Sequence, residues 1–351
     1  MAAPQIRGER DHLMKIALYQ EFGEGCRRLT HELLPSDAGW ELLDVPHAGA
    51  AVDSLSAADT EAIRSAEAVI ASPLSPFPEA IYDPLGRVRL IQLLSAGYDN
   101  IDLDRCRSVG QLVATNGGAN AVAVAEHTIM FILAALRRLP VLDRDTRAGR
   151  WTAAKTTEWE PHELEGRTVG LVGMGRIGRE VARRLRPFDV RLQYYDVVRA
   201  PSNVTRSLRV RYVSWSRLLE TSDIISLHVP LMEGTRGLIG AAELAQMKPG
   251  TILINTARGG LIDEAALIEA LQSGRLGGAG LDAFSAEPFP AGHPLAAFDQ
   301  VVLTPHFAGP TYESWPKRVR FAYENIARLE RDERPESVVF ELADMPLRAK
   351  S

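Results

Sequence analysis

The chain alternates short apolar runs with amphipathic stretches. Several runs in its first third are apolar enough to be buried strands: residues 15–19, 68–72, 88–94 and 112–115. A long apolar helix is predicted to begin near Asn120. It leads into a second series of strands, predicted at residues 168–173, 191–196, 223–229, 251–256, 278–284 and 301–306. Because strands that alternate with helices pair in parallel, the pattern predicts an α/β fold with two successive parallel-sheet series.

Length, charge and cysteine usage narrow the class of protein. The 351 residues suffice for two domains, and a net charge of −5 without a long basic run argues against a nucleic-acid partner. Cys26 and Cys106 lack CxxC spacing, which is typical of a reducing compartment, and the first residues lack the apolar core of a signal peptide. Glu126 and His127 interrupt the most apolar stretch, which predicts a buried helix instead of a membrane span. We therefore expect a cytoplasmic protein.

The stretch VGLVGMGRIG carries the spacing of a phosphate-binding turn. Gly173, Gly175 and Gly178 follow an apolar strand and open a helix, where free N–H groups can bind a pyrophosphate. Asp196 ends the next predicted strand, where a carboxylate accepts hydrogen bonds from an adenosine ribose and repels a 2′-phosphate. This combination predicts a dinucleotide site that favours NAD over NADP. Arg199 leaves NADP open, because an arginine there could meet a 2′-phosphate, although we favour its interpretation as a solvated loop charge.

Three polar side chains follow three further predicted strands. Arg258, Glu287 and His306 come after successive strand ends, and the carboxyl ends of parallel strands meet at the ligand side of the sheet. Each residue alone could be structural, as a surface ion pair, a turn cap or a packed imidazole. Together they suit reduction of a 2-keto acid. His306 would move the proton, and Glu287 would orient the His306 imidazole and favour its charged form. Arg258 would hold the substrate carboxylate.

These motifs resemble the D-isomer-specific 2-hydroxyacid dehydrogenases. The resemblance runs from about residue 68 to about 330 through SAGYDNIDL, NGGANAVAVAEHT, LHVPLMEGTRGLI, LINTARGGLIDEAAL, GLDAFSAEP and TPHFAG. It implies two Rossmann-like doubly wound domains with the active site in the cleft between them. Residues 1–116 plus 309–351 would form a flavodoxin-like substrate domain, and residues 117–308 the NAD-binding domain. It also implies a homodimer built largely from the cofactor domains and the long segment after the helix near Asn120.

The same resemblance assigns further residues. Arg258, Glu287 and His306 match the family's catalytic residues, and substrate contacts fall on the loop Ala96, Gly97 and Tyr98. The cofactor contacts that it implies are Arg176 and Ile177 at the pyrophosphate, His228, Pro230 and Thr235 on the adenosine side, and Thr256, Ala257 and Asp282 at the nicotinamide end. His228 could instead cap a strand, and Thr235 could cap a helix. The other histidines show no metal-ligand spacing, so no metal is predicted.

Several substrates and one different class of protein stay open. Formate dehydrogenases of this family carry a glutamine where Glu287 stands, which argues against that activity. Phosphoglycerate dehydrogenases commonly place an arginine before the substrate loop, which here begins at Ser95. Glyoxylate, hydroxypyruvate and other 2-keto acids remain candidates. Tyr98 and Trp315 are aromatic residues that could line the pocket edge or equally pack at the surface or an interface. The alternative class is an NADH-sensing binding protein, similar to co-repressors related to this family, which keeps the fold without physiological turnover.

Overall fold

The computed structural model describes residues 13–19, 23–46, 55–72, 77–151 and 161–349. Its contacts divide the chain into two compact units, with borders between Asn120 and Ala121 and between Pro310 and Thr311. The first unit contains both ends of the chain, and the second is the segment between the two borders.

The helices and strands alternate along most of the chain. The strands are β1 (Met14–Tyr19), β2 (Trp40–Val45), β3 (Ala68–Ala71), β4 (Leu90–Leu93), β5 (Leu112–Ala114), β6 (Thr168–Val172), β7 (Arg191–Tyr195), β8 (Val210–Tyr212), β9 (Ile224–Leu227), β10 (Thr251–Asn255), β11 (Leu276–Leu281) and β12 (Val301–Leu303). The helices are α1 (Gly23–Glu32), α2 (Ala57–Ser65), α3 (Leu103–Val109), α4 (Ala121–Leu136), α5 (Leu139–Arg147), α6 (Arg176–Leu185), α7 (Ser202–Leu208), α8 (Trp215–Thr221), α9 (Ala241–Gln246), α10 (Glu264–Gln272) and α11 (Ser314–Glu330).

The first unit is built on a parallel sheet with the strand order β2-β1-β3-β4-β5. This is the order of flavodoxin-like folds. Strands β3, β4 and β5 are buried at every residue, as expected for parallel strands covered on both faces. Helix α11 returns from the end of the chain, and its buried Val319, Ala322 and Ile326 join the core of this sheet.

The second unit is built on a parallel sheet with the order β12-β11-β10-β9-β6-β7-β8. The chain therefore winds outward from β6 in one direction and then from β9 in the other. A doubly wound sheet opens a crevice at the carboxyl ends of its strands where the order reverses, and here that point lies between β6 and β9. Gly280 lets α4 lie close to β11, because a Cβ at this position would fall 2.8 Å from the Cβ of Phe131.

The observed strands correct several predicted boundaries. The strands predicted to end at residues 284 and 306 end at Leu281 and Leu303. After Leu281 the Asp282 carboxylate binds backbone N–H groups, and Pro305 has no N–H for the sheet ladder. Strands β2 and β8 were missed because each is an edge strand with exposed positions, so neither shows a continuous apolar run.

Three further features bear on the expected class of protein. Among the residues that the structure describes, no helix combines the length and the apolar character needed to cross a membrane. Cys26 and Cys106 are both buried free thiols. Within the same described ranges, no group of three or more histidine, cysteine or acidic side chains is arranged to hold a metal ion.

Candidate active site

The glycine-rich turn joins β6 to α6 at the point where the strand order reverses. Gly173 has a left-handed φ of 99°, and a Cβ there would fall 2.6 Å from the carbonyl oxygen of His228. A Cβ on Gly178 would overlap the carbonyl oxygen of Gly173. By contrast, Gly175 has open space around its Cβ position and caps α6 without a side chain. The turn therefore presents bare backbone and the N-terminus of α6, which are the groups that bind a pyrophosphate.

Asp196 lies at the carboxyl end of β7, next to the glycine-rich turn. Its Oδ2 accepts a hydrogen bond from the N–H of Met174 at 2.7 Å, and its Oδ1 accepts one from Val198 at 3.2 Å. A carboxylate has about four lone-pair positions, so Asp196 keeps acceptors for a ribose. The guanidinium carbon of Arg199 lies 4.3 Å from the ring centroid of Tyr212, so this side chain is stacked on an aromatic face.

The predicted residues at the edges of the cofactor site differ in environment. Arg176 is exposed in the first turn of α6, and Ile177 packs against the core of this unit. Thr235 lies in the short 3-10 helix Glu233–Thr235, where its hydroxyl accepts from the N–H of Met232 and donates to the carbonyl of Pro230. The alternative that Thr235 caps a helix was wrong, because Gly240 is the residue that precedes α9.

His228 follows β9 with an unusual imidazole. Its Nε2 lies 3.0 Å from Ser226 Oγ, and its Nδ1 is shielded from solvent with no hydrogen-bond partner in the described residues. Burial lowers the pKa of His228 to about 3. The ring is therefore neutral at physiological pH and packs at the strand end as an uncharged group.

The three residues predicted for catalysis lie on loops that follow β10, β11 and β12. His306 Nδ1 is 2.7 Å from Glu287 Oε2, and each side chain is 37% exposed. Glu287 Oε1 accepts a hydrogen bond from the N–H of Phe284 at 2.9 Å. Burial raises the pKa of Glu287, but the hydrogen bonds from His306 and Phe284 and the charges of His306 and Arg258 outweigh it and hold this pKa below its ordinary value.

Gly259 brings the Arg258 loop close to the Glu287 loop. A Cβ on Gly259 would overlap the carbonyl group of Phe284, so only glycine allows this approach. The carbonyl oxygen of Arg258 accepts a hydrogen bond from Asn255 Nδ2 at 2.7 Å. The Nη1 of the Arg258 side chain donates one to the carbonyl of Ala257 at 2.7 Å. These bonds fix the start of the loop while the guanidinium charge acts on Glu287.

The residues predicted for the nicotinamide end lie at the same edge of the sheet. Thr256 Oγ1 is 3.0 Å from Thr128 Oγ1, and the N–H of Ala257 donates to Asn255 Oδ1 at 3.0 Å. Asp282 is only 1% exposed, and its carboxylate binds Thr304 and the backbone after His306. This network was not predicted, because it joins residues far apart in sequence.

The predicted substrate loop follows β4 in the first unit. Ala96 is exposed, and Gly97 is half-buried with its carbonyl accepting a hydrogen bond from Ser95 Oγ at 2.7 Å. The hydroxyl of Tyr98 lies 3.3 Å from both carboxylate oxygens of Glu341, so this group is already hydrogen-bonded. Burial and the Glu341 charge raise the pKa of Tyr98 to about 12. Trp315 packs against the core of its own unit and beneath the guanidinium of Arg318.

Comparison with known proteins finds relatives that match most of this chain. The family model of the D-isomer specific 2-hydroxyacid dehydrogenase NAD binding domain matches residues 129–308. A glyoxylate reductase of Korarchaeum cryptofilum is 37% identical over 284 residues, which cover 80% of this chain and 84% of the relative. A D-3-phosphoglycerate dehydrogenase of Archaeoglobus fulgidus is 36% identical over 248 residues, which cover 71% of this chain but 46% of the relative.

A solved structure extends the similarity to most of the fold. The crystal structure of a glyoxylate reductase from Paecilomyes thermophila superposes with a TM-score of 0.80 and 30% identity, and the match covers 94% of this chain and 99% of that one. The fold and the sequence matches together define a 2-hydroxyacid oxidoreductase that depends on NAD. The chain belongs to the D-isomer-specific 2-hydroxyacid dehydrogenase family.

Proposed function

We propose that this chain reduces a small 2-keto acid to the D-2-hydroxy acid with NADH, using His306 as the acid. The observation that carries the proposal is the 2.7 Å contact between His306 Nδ1 and Glu287 Oε2, beside the charge of Arg258. When bound, NADH supplies the hydride that the keto carbon accepts. The protein then has to hold the substrate, deliver one proton and fix which face of the keto carbon receives the hydride.

His306 is suited to deliver that proton from its outer nitrogen. Nδ1–H donates to the ionised Glu287, which leaves Nε2–H for the keto oxygen as that oxygen gains charge. In the oxidation direction the neutral Nε2 accepts the hydroxyl proton. Because Glu287 also accepts the N–H of Phe284, its carboxylate is fixed on both oxygens and holds the imidazole in one orientation.

Arg258 and the loop after β4 are proposed to bind the substrate carboxylate. The guanidinium of Arg258 can bind a carboxylate with two parallel hydrogen bonds and polarise the neighbouring carbonyl. The backbone N–H groups of Ala96, Gly97 and Tyr98 would add donors. Since the Tyr98 hydroxyl is held by Glu341, we assign this residue a backbone contact instead of a side-chain contact.

The cofactor assignments rest on the bare turn and its surroundings. We propose that Gly173, Gly175, Gly178, Arg176 and Ile177 lie at the pyrophosphate, that Asp196 binds the ribose, that His228, Pro230 and Thr235 line the adenosine side, and that Thr256, Ala257 and Asp282 lie at the nicotinamide end. NADH is preferred over NADPH because the Asp196 charge repels a 2′-phosphate, while Arg199 is stacked on Tyr212.

Glyoxylate is the first candidate substrate. The glyoxylate reductase of Korarchaeum cryptofilum is similar over 84% of its own length, whereas the phosphoglycerate dehydrogenase of Archaeoglobus fulgidus is matched over 46%. Hydroxypyruvate and pyruvate share the carboxylate and keto group that Arg258 and His306 would recognise. An NADH sensor without turnover is the competing function, and the activity assay separates it.

Assembly and domain division extend the proposal. We assign residues 1–116 plus 309–351 to the substrate domain and residues 117–308 to the cofactor domain. Exposed apolar side chains on α4 and α5, Val122, Met130 and Leu139, support a homodimer through the cofactor domains. Part of the long segment expected in that interface, residues 152–160, lies outside the described residues. The buried free thiols support a cytoplasmic location.

The testing experiment measures oxidation of NADH, and separately NADPH, with glyoxylate, hydroxypyruvate, pyruvate, phenylpyruvate, branched 2-keto acids and phosphohydroxypyruvate. We expect turnover of a small unphosphorylated keto acid with NADH. Tight NADH binding without turnover of any compound in this panel would overturn the proposal in favour of the sensor.

A further inference from the structure

We propose that His127 is a positioning residue for the loop that carries His306, and that it acts through Thr304 and Asp282. The inference rests on the proposed role of His306 as the acid. It assigns a function in the reaction to a helix residue that does not contact His306, and it names a chain of hydrogen bonds that connects the two.

The loop after β12 is fastened by one buried carboxylate. Asp282 Oδ1 accepts a hydrogen bond from the N–H of Phe307 at 2.7 Å, and Oδ2 accepts one from the N–H of Ala308 at 2.8 Å. Oδ1 also accepts the hydroxyl proton of Thr304. The carboxylate therefore binds the loop on both sides of His306. With 1% of Asp282 exposed, these donors replace the water that the charge has lost.

The backbone at His306 needs such fastening. Its φ of 54° places this residue in the left-handed region, which a side chain with a Cβ disfavours. The N–H of His306 donates to the carbonyl of Thr304 at 3.0 Å, so the chain turns sharply between them. A strained conformation persists when its surroundings hold it, and here the bonds to Asp282 hold it. Loosening them would let the imidazole move away from its productive position.

Proton counting fixes the direction of each hydrogen bond to Thr304. Its hydroxyl has one proton, and the neighbouring Asp282 carboxylate only accepts, so Thr304 donates to Asp282. His127 Nε2 lies 2.9 Å from the same hydroxyl oxygen, which has only lone pairs left. His127 must therefore be the tautomer with its proton on Nε2, and it donates to Thr304.

The surroundings of His127 suit a neutral donor. Burial lowers the pKa of His127, and the Asp282 charge, 3.8 Å from Nε2, opposes this effect. The ring meets the edge of Phe131 one helical turn later, with a centroid separation of 4.5 Å. Helix α4 thus holds the ring from one side while the hydrogen bond to Thr304 holds it from the other.

The test compares substitutions that remove each hydrogen bond with substitutions that keep it. His127→Phe removes the donor, whereas His127→Gln keeps an N–H at a similar reach. Thr304→Val removes the hydroxyl with little change of shape, whereas Thr304→Ser keeps it. The assay measures kcat and the KM values for NADH and the preferred keto acid, and thermal melting confirms that each variant is folded.

We expect His127→Phe and Thr304→Val each to lower kcat by about 10- to 100-fold, because small misplacements of a catalytic group have effects of this size. The KM for NADH should change little. His127→Gln and Thr304→Ser should keep most of the wild-type kcat. The double variant His127→Phe/Thr304→Val should be no slower than the slower single variant, since both substitutions break one chain of hydrogen bonds.

Other outcomes would overturn the inference. Equal kcat losses in His127→Phe and His127→Gln, or strictly multiplicative losses in the double variant, would show that no hydrogen bond to Thr304 is involved. Should His127→Phe fail to fold, the Thr304→Val and Thr304→Ser pair decides the same question. His306→Ala is measured alongside. If it is inactive while Thr304→Val is fully active, only this inference fails; if it stays active, the proposed role of His306 fails as well.

Discussion

At the scale of single residues, we assign the proton transfer to His306 and the binding of the substrate carboxylate to Arg258. We expect His306→Ala and Arg258→Ala each to lower kcat/KM by at least roughly a hundredfold, as is usual for a proton donor or an orienting cation. NADH binding, measured by fluorescence titration, should be unchanged. The two side chains lie on the loops after β10 and β12 and not in the glycine-rich turn between β6 and α6. A near-wild-type rate in either variant would remove that residue from its assigned role.

We propose that Asp196 controls the choice between NADH and NADPH. Asp196→Ala removes the charge that repels a 2′-phosphate, so the ratio of kcat/KM for NADH over NADPH should fall by at least about tenfold. Arg199→Ala is the matched control, and because Arg199 is stacked on Tyr212 we expect that ratio to stay within about twofold. An unchanged ratio in Asp196→Ala, or a large change in Arg199→Ala, would move the choice of cofactor to another group.

His228 links stability to pH. Burial lowers its pKa to about 3 in the folded chain, while the unfolded chain keeps the ordinary value of 6.5. Between these values the unfolded state binds the extra proton, so stability is present above pH 6.5 and is lost as pH falls. The free energy of unfolding lost through this group approaches about 1.4 kcal/mol per pH unit.

The measurement that checks this is urea unfolding of the wild type and of His228→Gln at several pH values from 7.5 to 4.5. The free energy of unfolding of the wild type should fall more steeply toward low pH than that of the variant. Parallel curves would show that the half-buried His228 imidazole is not held neutral in the folded chain.

At the scale of elements, two glycines in the turn between β6 and α6 have different roles. Gly178 is needed for the fold, and Gly175 is proposed to leave space for the cofactor. Gly178→Ala should lower the thermal midpoint by several degrees, because its Cβ would overlap the carbonyl of Gly173. Gly175→Ala should leave the thermal midpoint within about one degree of the wild type, since no atom lies within 4 Å of the Cβ position. It should weaken NADH binding at least about tenfold, because the methyl group fills the space next to a pyrophosphate.

Gly25→Ala is the control, because its Cβ position is also open and it lies in α1, outside the proposed cofactor site. It should neither lower the midpoint nor weaken NADH binding. Full NADH affinity in Gly175→Ala would contradict the placement of the pyrophosphate at this turn.

Buried strands could be predicted from the sequence pattern, whereas edge strands and strand ends could not. Buried strands such as β3 and β10 are continuous apolar runs, so their positions follow from the pattern alone. The edge strands β2 and β8 mix exposed and buried positions and were missed. Strand β11 stops short of its predicted end where the Asp282 carboxylate binds the backbone after His306, and β12 stops short because Pro305 has no N–H for the sheet ladder.

The site itself was predictable in outline. Arg258, Glu287 and His306 could be grouped because parallel strands end at one edge of a sheet, and the structure confirms the contact between Glu287 and His306. The link from His127 through Thr304 to Asp282 could not be predicted, since it joins α4 to two later strands and depends on side-chain distances. Stacking of Arg199 on Tyr212 was hidden for the same reason.

At the scale of the whole molecule, both parallel sheets were predicted as two successive series. Their strand orders were not, because an order depends on which strands pair. The observed order of the second sheet places the glycine-rich turn where the winding reverses, and it places the loops of Arg258, Glu287 and His306 at the ends of three adjacent strands. One doubly wound sheet therefore carries both the backbone turn proposed for the dinucleotide and the polar groups proposed for the keto acid.

The measurement that tests the central claim most directly is the configuration of the product. The wild type and His306→Ala are incubated with NADH and the keto acid of the panel that is turned over fastest and gives a chiral product, and the 2-hydroxy acid is resolved by chiral chromatography. We expect the wild type to form the D-isomer in amounts equal to the NADH consumed, and His306→Ala to form roughly a hundredfold less. Formation of the L-isomer, or an undiminished yield from His306→Ala, would contradict the account.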